Sequence, residues 1–282
     1  MFCTVLVFLT LFVRTTLCSS SCVQFEFAQE VSPTESIQVL SNFSAASRTE
    51  LFGICVPRCM KDLRCNAFDI CNGECRTIRG WLPVYTDSVS GDMCERHQID
   101  CDAGYYYDRQ TERCVRHYFC DFELVPETTC FLLESKTDNL DWTRKSGLTA
   151  NYYYNTGPSS AKFGSYYKYI QSAYSSSYVY RGTLESIEHF DDKIYCLSLY
   201  YHMYGSNIKS LIISTQNGTD APVNHWTMTG NQGNAWNRLL GLNLRLDPQT
   251  KVLITGEQAT NYRGDIAIDF VELWPYACPG SA

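Results

Sequence analysis

The chain has 282 residues, 45% hydrophobic and 19% charged, a balance that suits globular folding and excludes disorder of the whole chain. Its formal charge of −7 argues against nucleic acid as a partner and against a polybasic membrane-surface binder. Fifteen cysteines mean disulfides or zinc, and the compartment decides between them.

The N-terminus points to secretion. Phe2 to Val13 form an apolar run of about 12 residues, short of the ~20 that span a bilayer. Arg14 and the small or short residues Thr16, Cys18, Ser19 and Ser20 follow, so residues 1–20 read as a signal peptide cleaved after Cys18 or Ser20, although its start carries no Lys or Arg. Cleavage removes Cys3, Cys18 and Arg14, leaving thirteen cysteines and a charge of −8. No later stretch approaches 18 apolar residues, and Cys278 to Ala282 carry no apolar tail of the kind that directs lipid anchoring. The expected product is secreted and extracellular, with no direct membrane insertion.

Cysteine density divides the remainder. Residues 22–94 hold seven cysteines, residues 95–119 two, and residues 120–278 four. The expected domains are 21–95, a linker over 96–119, and 120–279. The last is long enough to fold on its own core, whereas the first benefits from staples.

In the first segment Leu51, Cys55, Cys59 and Met60 recur at roughly helical spacing, with Cys55 and Cys59 on one face. Pro57 lies between them, so a helix here should begin near it or be irregular. Residues 65–70 and 74–79 read as strands around Asn72-Gly73, a strong hairpin signal. The run Cys55, Cys59, Cys65-Asn-Ala-Phe68 and Cys75 resembles a PAN/apple domain, a stapled helix-on-sheet α+β module. That resemblance implies Cys22–Cys94, Cys55–Cys75 and Cys59–Cys65, and leaves Cys71 over. An unpaired cysteine in a secreted protein suggests a free thiol or a bridge between chains. Cys71, beside the turn, is the candidate for either, with a different pairing as the alternative.

The middle segment runs from Cys101 to Cys114, is rich in turn formers and aromatics, and reads as a small linker stapled by Cys101–Cys114. Residues 118–124, 166–171, 194–203, 208–214, 238–245, 250–256 and 266–273 read as strands, separated by turn signals such as Asn217-Gly218 and Asp247-Pro248. This pattern indicates a sandwich or jelly roll. The third segment resembles a MAM domain over about 160 residues. The carrying motifs are Cys120-Asp-Phe-Glu123, Asp141-Trp142-Thr-Arg144 with Ser146-Gly147, Thr156-Gly-Pro-Ser-Ser160, Tyr166 to Ile170, Cys196 to Gly205, Trp226, Gly230-Asn-Gln-Gly233 with Trp236, Tyr262 to Asp269, and Cys278. The resemblance implies a jelly-roll β-sandwich with Cys120–Cys130 and Cys196–Cys278. The expected fold class is therefore mainly β, with a small stapled α+β apple-like domain followed by the sandwich.

Chemistry-bearing residues are weighed in this frame. No paired Cys-x2-Cys knuckles support zinc at Cys59, Cys65, Cys71, Cys75 and His97. The five histidines (97, 117, 189, 202 and 225) accompany no Gly-x-Ser-x-Gly elbow and no His-Glu-x-x-His, so no enzyme is expected. His202 reads as a packed structural residue. Arg263-Gly264-Asp265 is an integrin-type tripeptide, but it falls in a stretch that recurs in MAM domains. No cofactor is called for, except that a structural calcium ion is a candidate, with Glu123, Asp265 and Asp269 as ligands. Against it, Ala161 and Phe270 stand where family members usually carry acidic residues, and Glu123 has an arginine partner as its alternative. The tyrosines, clustered at 152–154, 166–169, 174–180 and 195–204, read as strand fillers or as an adhesive or glycan-stacking surface. Asn42-Phe-Ser44 and Asn217-Gly-Thr219 are glycosylation sequons.

Both resemblances imply recognition without catalysis. The leading expectation is a secreted adhesion or extracellular-matrix glycoprotein that binds extracellular proteins or a second copy of itself. The alternative is a lectin-like protein that binds glycans.

Overall fold

The computed structural model describes residues 25–31, 39–62, 65–79, 94–99, 101, 105–108, 113–116, 118–123, 125, 130–150, 152–171, 180–187, 189–258 and 263–278. The expected signal peptide and Cys22 lie outside the described residues.

Strands β1 (Phe25–Val31), β2 (Val39–Ser44), β3 (Cys65–Cys71), β4 (Glu74–Arg79) and β5 (Cys94–Ile99) form one antiparallel sheet in the order β1-β5-β3-β4-β2. Helix α1 (Arg48–Lys61) lies across β3 and β4. Ser47 caps it by accepting a hydrogen bond from the Glu50 N–H, while Glu50 in the first turn and Arg58 and Lys61 in the last complement its dipole. Of the two expectations for Pro57, a helix that begins near it or one that is irregular, the first is corrected, because α1 runs through the proline. An interior proline costs about 3 kcal/mol. Here the buried face of Leu51, Cys55 and Cys59 is fastened to the sheet by Cys55–Cys75 and Cys59–Cys65, which holds the helix on both sides of the proline.

Asn72 and Gly73, both at positive φ, make the β3–β4 turn. Two cysteine expectations are corrected here. The β3–β5 register sets Ile70 opposite Glu95, which puts Cys71 opposite Cys94, and these two are bonded with Cα atoms 4.4 Å apart. Cys94 therefore does not pair with Cys22, and Cys71 is a buried half-cystine rather than an exposed thiol or interchain bridge. Cysteine spacing carries no information about which strands end up adjacent, and strand order decided this pairing. Beyond the sheet, β6 (Tyr105–Asp108) and β7 (Arg113–Arg116) form a hairpin bridged by Cys101–Cys114 and approaching β3.

The remaining strands build a sandwich. One sheet has the order β10-β11-β18-β13-β16, from β10 (Thr143–Ser146), β11 (Tyr166–Ile170), β13 (Lys193–Tyr204), β16 (Asn237–Leu246) and β18 (Asp265–Trp274), with β8 (Tyr118–Cys120) also pairing β18. The other has the order β15-β14-β17-β12-β9, from β9 (Leu132–Glu134), β12 (Tyr180–Ser186), β14 (Ile208–Asn217), β15 (Val223–Thr229) and β17 (Thr250–Gln258). Alternate residues of each strand face inward, as the period of two requires. Leu197, Leu199, Tyr201 and Met203 of β13 and Ile266, Ile268, Val271 and Leu273 of β18 meet Leu211, Ile213, Val252 and Ile254 in one core. Trp142 anchors its rim, donating from Nε1 to the Gly182 carbonyl at 2.9 Å. Cys120–Cys130 and Cys196–Cys278 tie this unit. The second closes a loop of 82 residues, which by chain entropy contributes about 4 kcal/mol.

Candidate functional site

The strand that organises the site is β18. Along Ile266–Ile268 it pairs with β11, and along Val271–Leu273 it pairs with β8 on the same side. Asp269 and Phe270 fall at the gap between those two neighbours. Opposite them the β13 register slips, with Ser198 facing Glu272 and Tyr200 facing Asp269, so one extra residue of β18 is accommodated as a β-bulge. Phe270 sits in the left-handed region at φ 48°, and Phe122, just after β8, does so at φ 61°. That backbone conformation costs a bulky residue on the order of 1–3 kcal/mol. Strain therefore flanks two acidic residues, Glu123 and Asp269.

Both carboxylates are wrapped by the loop entering β11. Asp269 Oδ2 accepts from the Lys162 and Phe163 amides at 2.8 and 3.1 Å. Glu123 Oε1 accepts from the Ser165 and Tyr166 amides at 2.9 and 2.7 Å. Gly164, at φ 61°, makes the close approach possible, since a Cβ there would lie 2.5 Å from Glu123 Oε1. Arg144 does not pair with the Glu123 carboxylate. Its guanidinium donates to the Phe122 and Glu123 carbonyls at 2.5 and 2.8 Å and stacks on Tyr166. Burial, with Glu123 as a like-charged neighbour, pushes the acid of Asp269 up to about 8 despite its amide donors.

Beside this pair lies an aromatic cluster. Phe163 packs edge-on against Phe270 at 5.3 Å and Tyr200 at 5.2 Å between ring centres. The Lys162 ammonium lies 5.1 Å from the Tyr200 ring centre, and the Arg238 guanidinium also lies over that ring. Glu272 is buried nearby and accepts from Ser198 Oγ.

Asp265 is not brought to the carboxylate pair. It starts β18, four residues from Asp269, and at strand rise that separates them by about 13 Å. It lies buried beside Thr156 and Gly157, where its amide donates to Thr156 Oγ1 at 2.7 Å and Thr156 Oγ1 donates to the Tyr204 carbonyl. The same placement removes the Arg-Gly-Asp tripeptide from integrin-type recognition, because the aspartate is wholly buried. Gly264 is wedged so that a Cβ would lie 2.4 Å from the Asn207 carbonyl oxygen.

The calcium candidate is tested by its donors. In its favour, Asp269 Oδ1 is buried without a hydrogen-bond partner. Against it, calcium takes 6–8 oxygen ligands, and among the described residues no group of three or more acidic, histidine or cysteine side chains is placed to hold a metal ion. One oxygen of each carboxylate is already taken by two amides, Phe270 turns an aromatic ring to the gap, and Ala161 packs beside Tyr167, Tyr169 and Trp236. The residues present do not fit a calcium ion.

His202 is buried against Trp236, with Nε2 3.1 Å from Asn234 Oδ1. Burial pushes its pKa down to about 4. Asn42 lies exposed on β2, its amide donating to Glu74. Asn217 ends β14, its amide donating to Asp247 and Thr250. The strand tyrosines are internal: Tyr167, Tyr169, Tyr195, Tyr200 and Tyr201 are buried. By contrast Tyr153 is 90% exposed on a one-turn 3-10 helix at 152–154, beside exposed Tyr154 and Leu148. Residues 172–179, most of the third tyrosine cluster, lie outside the described residues. Sequence reasoning missed Lys162, Phe163, Tyr200 and the carbonyl-binding role of Arg144. Only the motif Asp141-Trp142-Thr-Arg144 hinted at the last.

Two facing antiparallel sheets, disulfide-tied and closed by first and last strands that pair, define a β-sandwich module. The chain belongs to the MAM family: residues 120–279 match the MAM domain, meprin/A5/mu. It is similar to MAM domain-containing glycosylphosphatidylinositol anchor protein 1 of Rattus norvegicus, 32% identical over 208 residues, which is 70% of this chain and 21% of the relative. It is also similar to anchor protein 2 of Homo sapiens, 30% identical over 182 residues, 58% of this chain and 18% of the relative. Neuropilin-1a of Danio rerio is 26% identical over 224 residues, covering 72% of this chain and 24% of that protein. The chain thus spans about a fifth to a quarter of the length of these relatives.

Proposed function

We propose that this chain is an extracellular, non-enzymatic adhesion protein acting through protein–protein contact, with a second copy of itself as one partner. The observation that carries this reading is the MAM sandwich itself, together with the exposed apolar side chains of Leu148, Tyr153 and Tyr154. Leu148, Tyr153 and Tyr154 project from a segment that is anchored, not loose. Thr149 Oγ1 donates to the Thr156 carbonyl, and the Gly157 amide donates to the Tyr204 carbonyl. Rigid exposed aromatics contribute contact area at small entropy cost. The relatives named for a glycosylphosphatidylinositol anchor support placement at the cell surface or in the extracellular space, and the N-terminal apolar run supports entry to the secretory route. The helix-on-sheet unit at 25–99 supports an apple-like first module, and Asn42 and Asn217 are positioned to carry N-glycans. Among the described residues no helix is long and apolar enough to cross a membrane.

The test is aggregation of beads coated with the secreted protein, alongside its mass in solution by light scattering. Self-adhesion is expected to produce bead clusters that Tyr153→Ala with Tyr154→Ala disperses, while the double variant keeps the parent melting temperature. Beads that never cluster, with a monomeric mass, remove self-association and leave binding to other extracellular proteins. A lectin-like reading is favoured by one feature, Tyr153 and Tyr154 standing beside Asn155. Glycan-array binding lost in the same double variant would replace the adhesion reading.

A further inference from the structure

We propose that the loop at 161–166 is locked independently of calcium, by four of its own backbone amides and an aromatic cluster built around Phe163. The amides of Lys162, Phe163, Ser165 and Tyr166 occupy one oxygen each of Asp269 and Glu123. A carboxyl oxygen that accepts two backbone N–H groups fixes in place the loop that carries them. The second fastening is apolar. Phe270 occupies a left-handed bulge position that suits a short polar side chain such as aspartate better than a ring. The conformation persists because the ring packs against Phe163, which in turn packs against Tyr200. Lys162 adds to this cluster by placing its ammonium over the Tyr200 ring. Ala161 turns its methyl toward the Tyr167, Tyr169 and Trp236 cluster and supplies no oxygen. Each feature of the loop thus has a fastening inside the chain.

Lys162 also supplies the readout, because trypsin cleaves after it once the loop opens. The full secreted protein is digested with trypsin, and its melting temperature measured, in calcium at about 1 mM, the weak end of extracellular calcium modules, and in EDTA. The expected result is resistance at Lys162 in both, with melting temperatures that coincide within about 1 °C. Phe163→Ala is expected to raise cleavage after Lys162 at least about tenfold in both conditions, for a loss of local locking near 1.4 kcal/mol. Cleavage that appears only in EDTA, or a melting temperature that calcium raises by more than about 1 °C, overturns the proposal. So does a Phe163→Ala protein that is nicked in EDTA but protected by calcium.

Discussion

The two folded regions solve the same problem with different materials. In the first, the buried cluster between helix and sheet holds Leu51, Phe68, Ile70 and four half-cystines, Cys55, Cys59, Cys65 and Cys75. In the sandwich, the core draws on both sheets and is aliphatic and aromatic, with Cys120 and Cys130 the only cystine in it among the described residues. A small sheet with one helix buries too little apolar surface to be secure, so covalent staples take over part of what packing does elsewhere. The first region also buries charge. Arg96 and Asp69 lie within the sheet, bonded through Nε–Oδ1 at 2.8 Å and NH2–Oδ2 at 2.9 Å. The sandwich buries charge too, in Asp265, Asp269 and Glu272 and in the pairs Lys168–Glu134 and Arg238–Glu272, but its closest pair, Arg245–Asp192, is exposed. The difference teaches where each region is fragile: the first in its bonds and its fully buried Arg96–Asp69 pair, the second in the volume of its core and in its buried acids.

Four measurements would break or sharpen that contrast. Mild reduction should act on the first region most. Losing Cys55–Cys75, Cys59–Cys65 and Cys71–Cys94 is expected to remove about 2–5 kcal/mol each and unfold residues 25–99, while the sandwich keeps its fluorescence and protease resistance. Equal loss in both regions, followed by mass-mapped proteolysis, would erase the contrast. Next, Asp69→Ala leaves Arg96 as a buried charge without its carboxylate. It should cost about 3–5 kcal/mol in denaturant unfolding of the first region alone.

The third measurement concerns acid. His202 has a folded-state pKa lowered to about 4, against an ordinary value of 6.5. Between these values the unfolded chain binds the proton and the folded chain does not, so this group's contribution is present above about 6.5 and is lost as pH falls toward 4. The sandwich should weaken by up to about 3 kcal/mol over that window, and His202→Gln should flatten the slope. An unchanged slope would move the acid sensitivity elsewhere. The smallest effect is expected at Arg48–Glu95, a pair on the surface of the first region. Glu95→Gln should change its stability by less than about 1 kcal/mol, read from the same unfolding curves.

Much of the sandwich was legible because its strands alternate. β13, β14, β16, β17 and β18 each carry enough inward aliphatics to announce their period, and their observed limits lie within three residues of the expected ones. Four strands went unread. β9 and β10 are only three and four residues long, and both are edges. β12 buries Gly182 and Ser186 where an aliphatic would have signalled a strand, and β15 alternates exposed polar residues with Trp226 and Met228. At the site, Glu123 and Asp269 were legible because each closes one of the motifs that carry the family resemblance, Cys120 to Glu123 and Tyr262 to Asp269. Asp265 was grouped with them, although four residues of strand set it about 13 Å from Asp269. Cys71 was misread because its partner, 23 residues on, is set by β5 lying between β1 and β3, an order that no local pattern encodes.

The position of β18 bears on how the protein is made. It is the last strand of the sandwich in chain order, yet it lies inside its sheet, contacting β11, β13 and β8. During synthesis the first region can close its staples as soon as Cys94 is available. The sandwich must wait, with β13 and β11 lacking their shared neighbour, until residues 265–274 emerge. Such late, long-range pairing is slow and leaves strand edges open in the interim. Cys196 spends that interval as an unpaired thiol, 82 residues ahead of Cys278, close in sequence to no correct partner. The fidelity of this chain in an oxidising compartment therefore depends on thiol exchange catching up with its final strand.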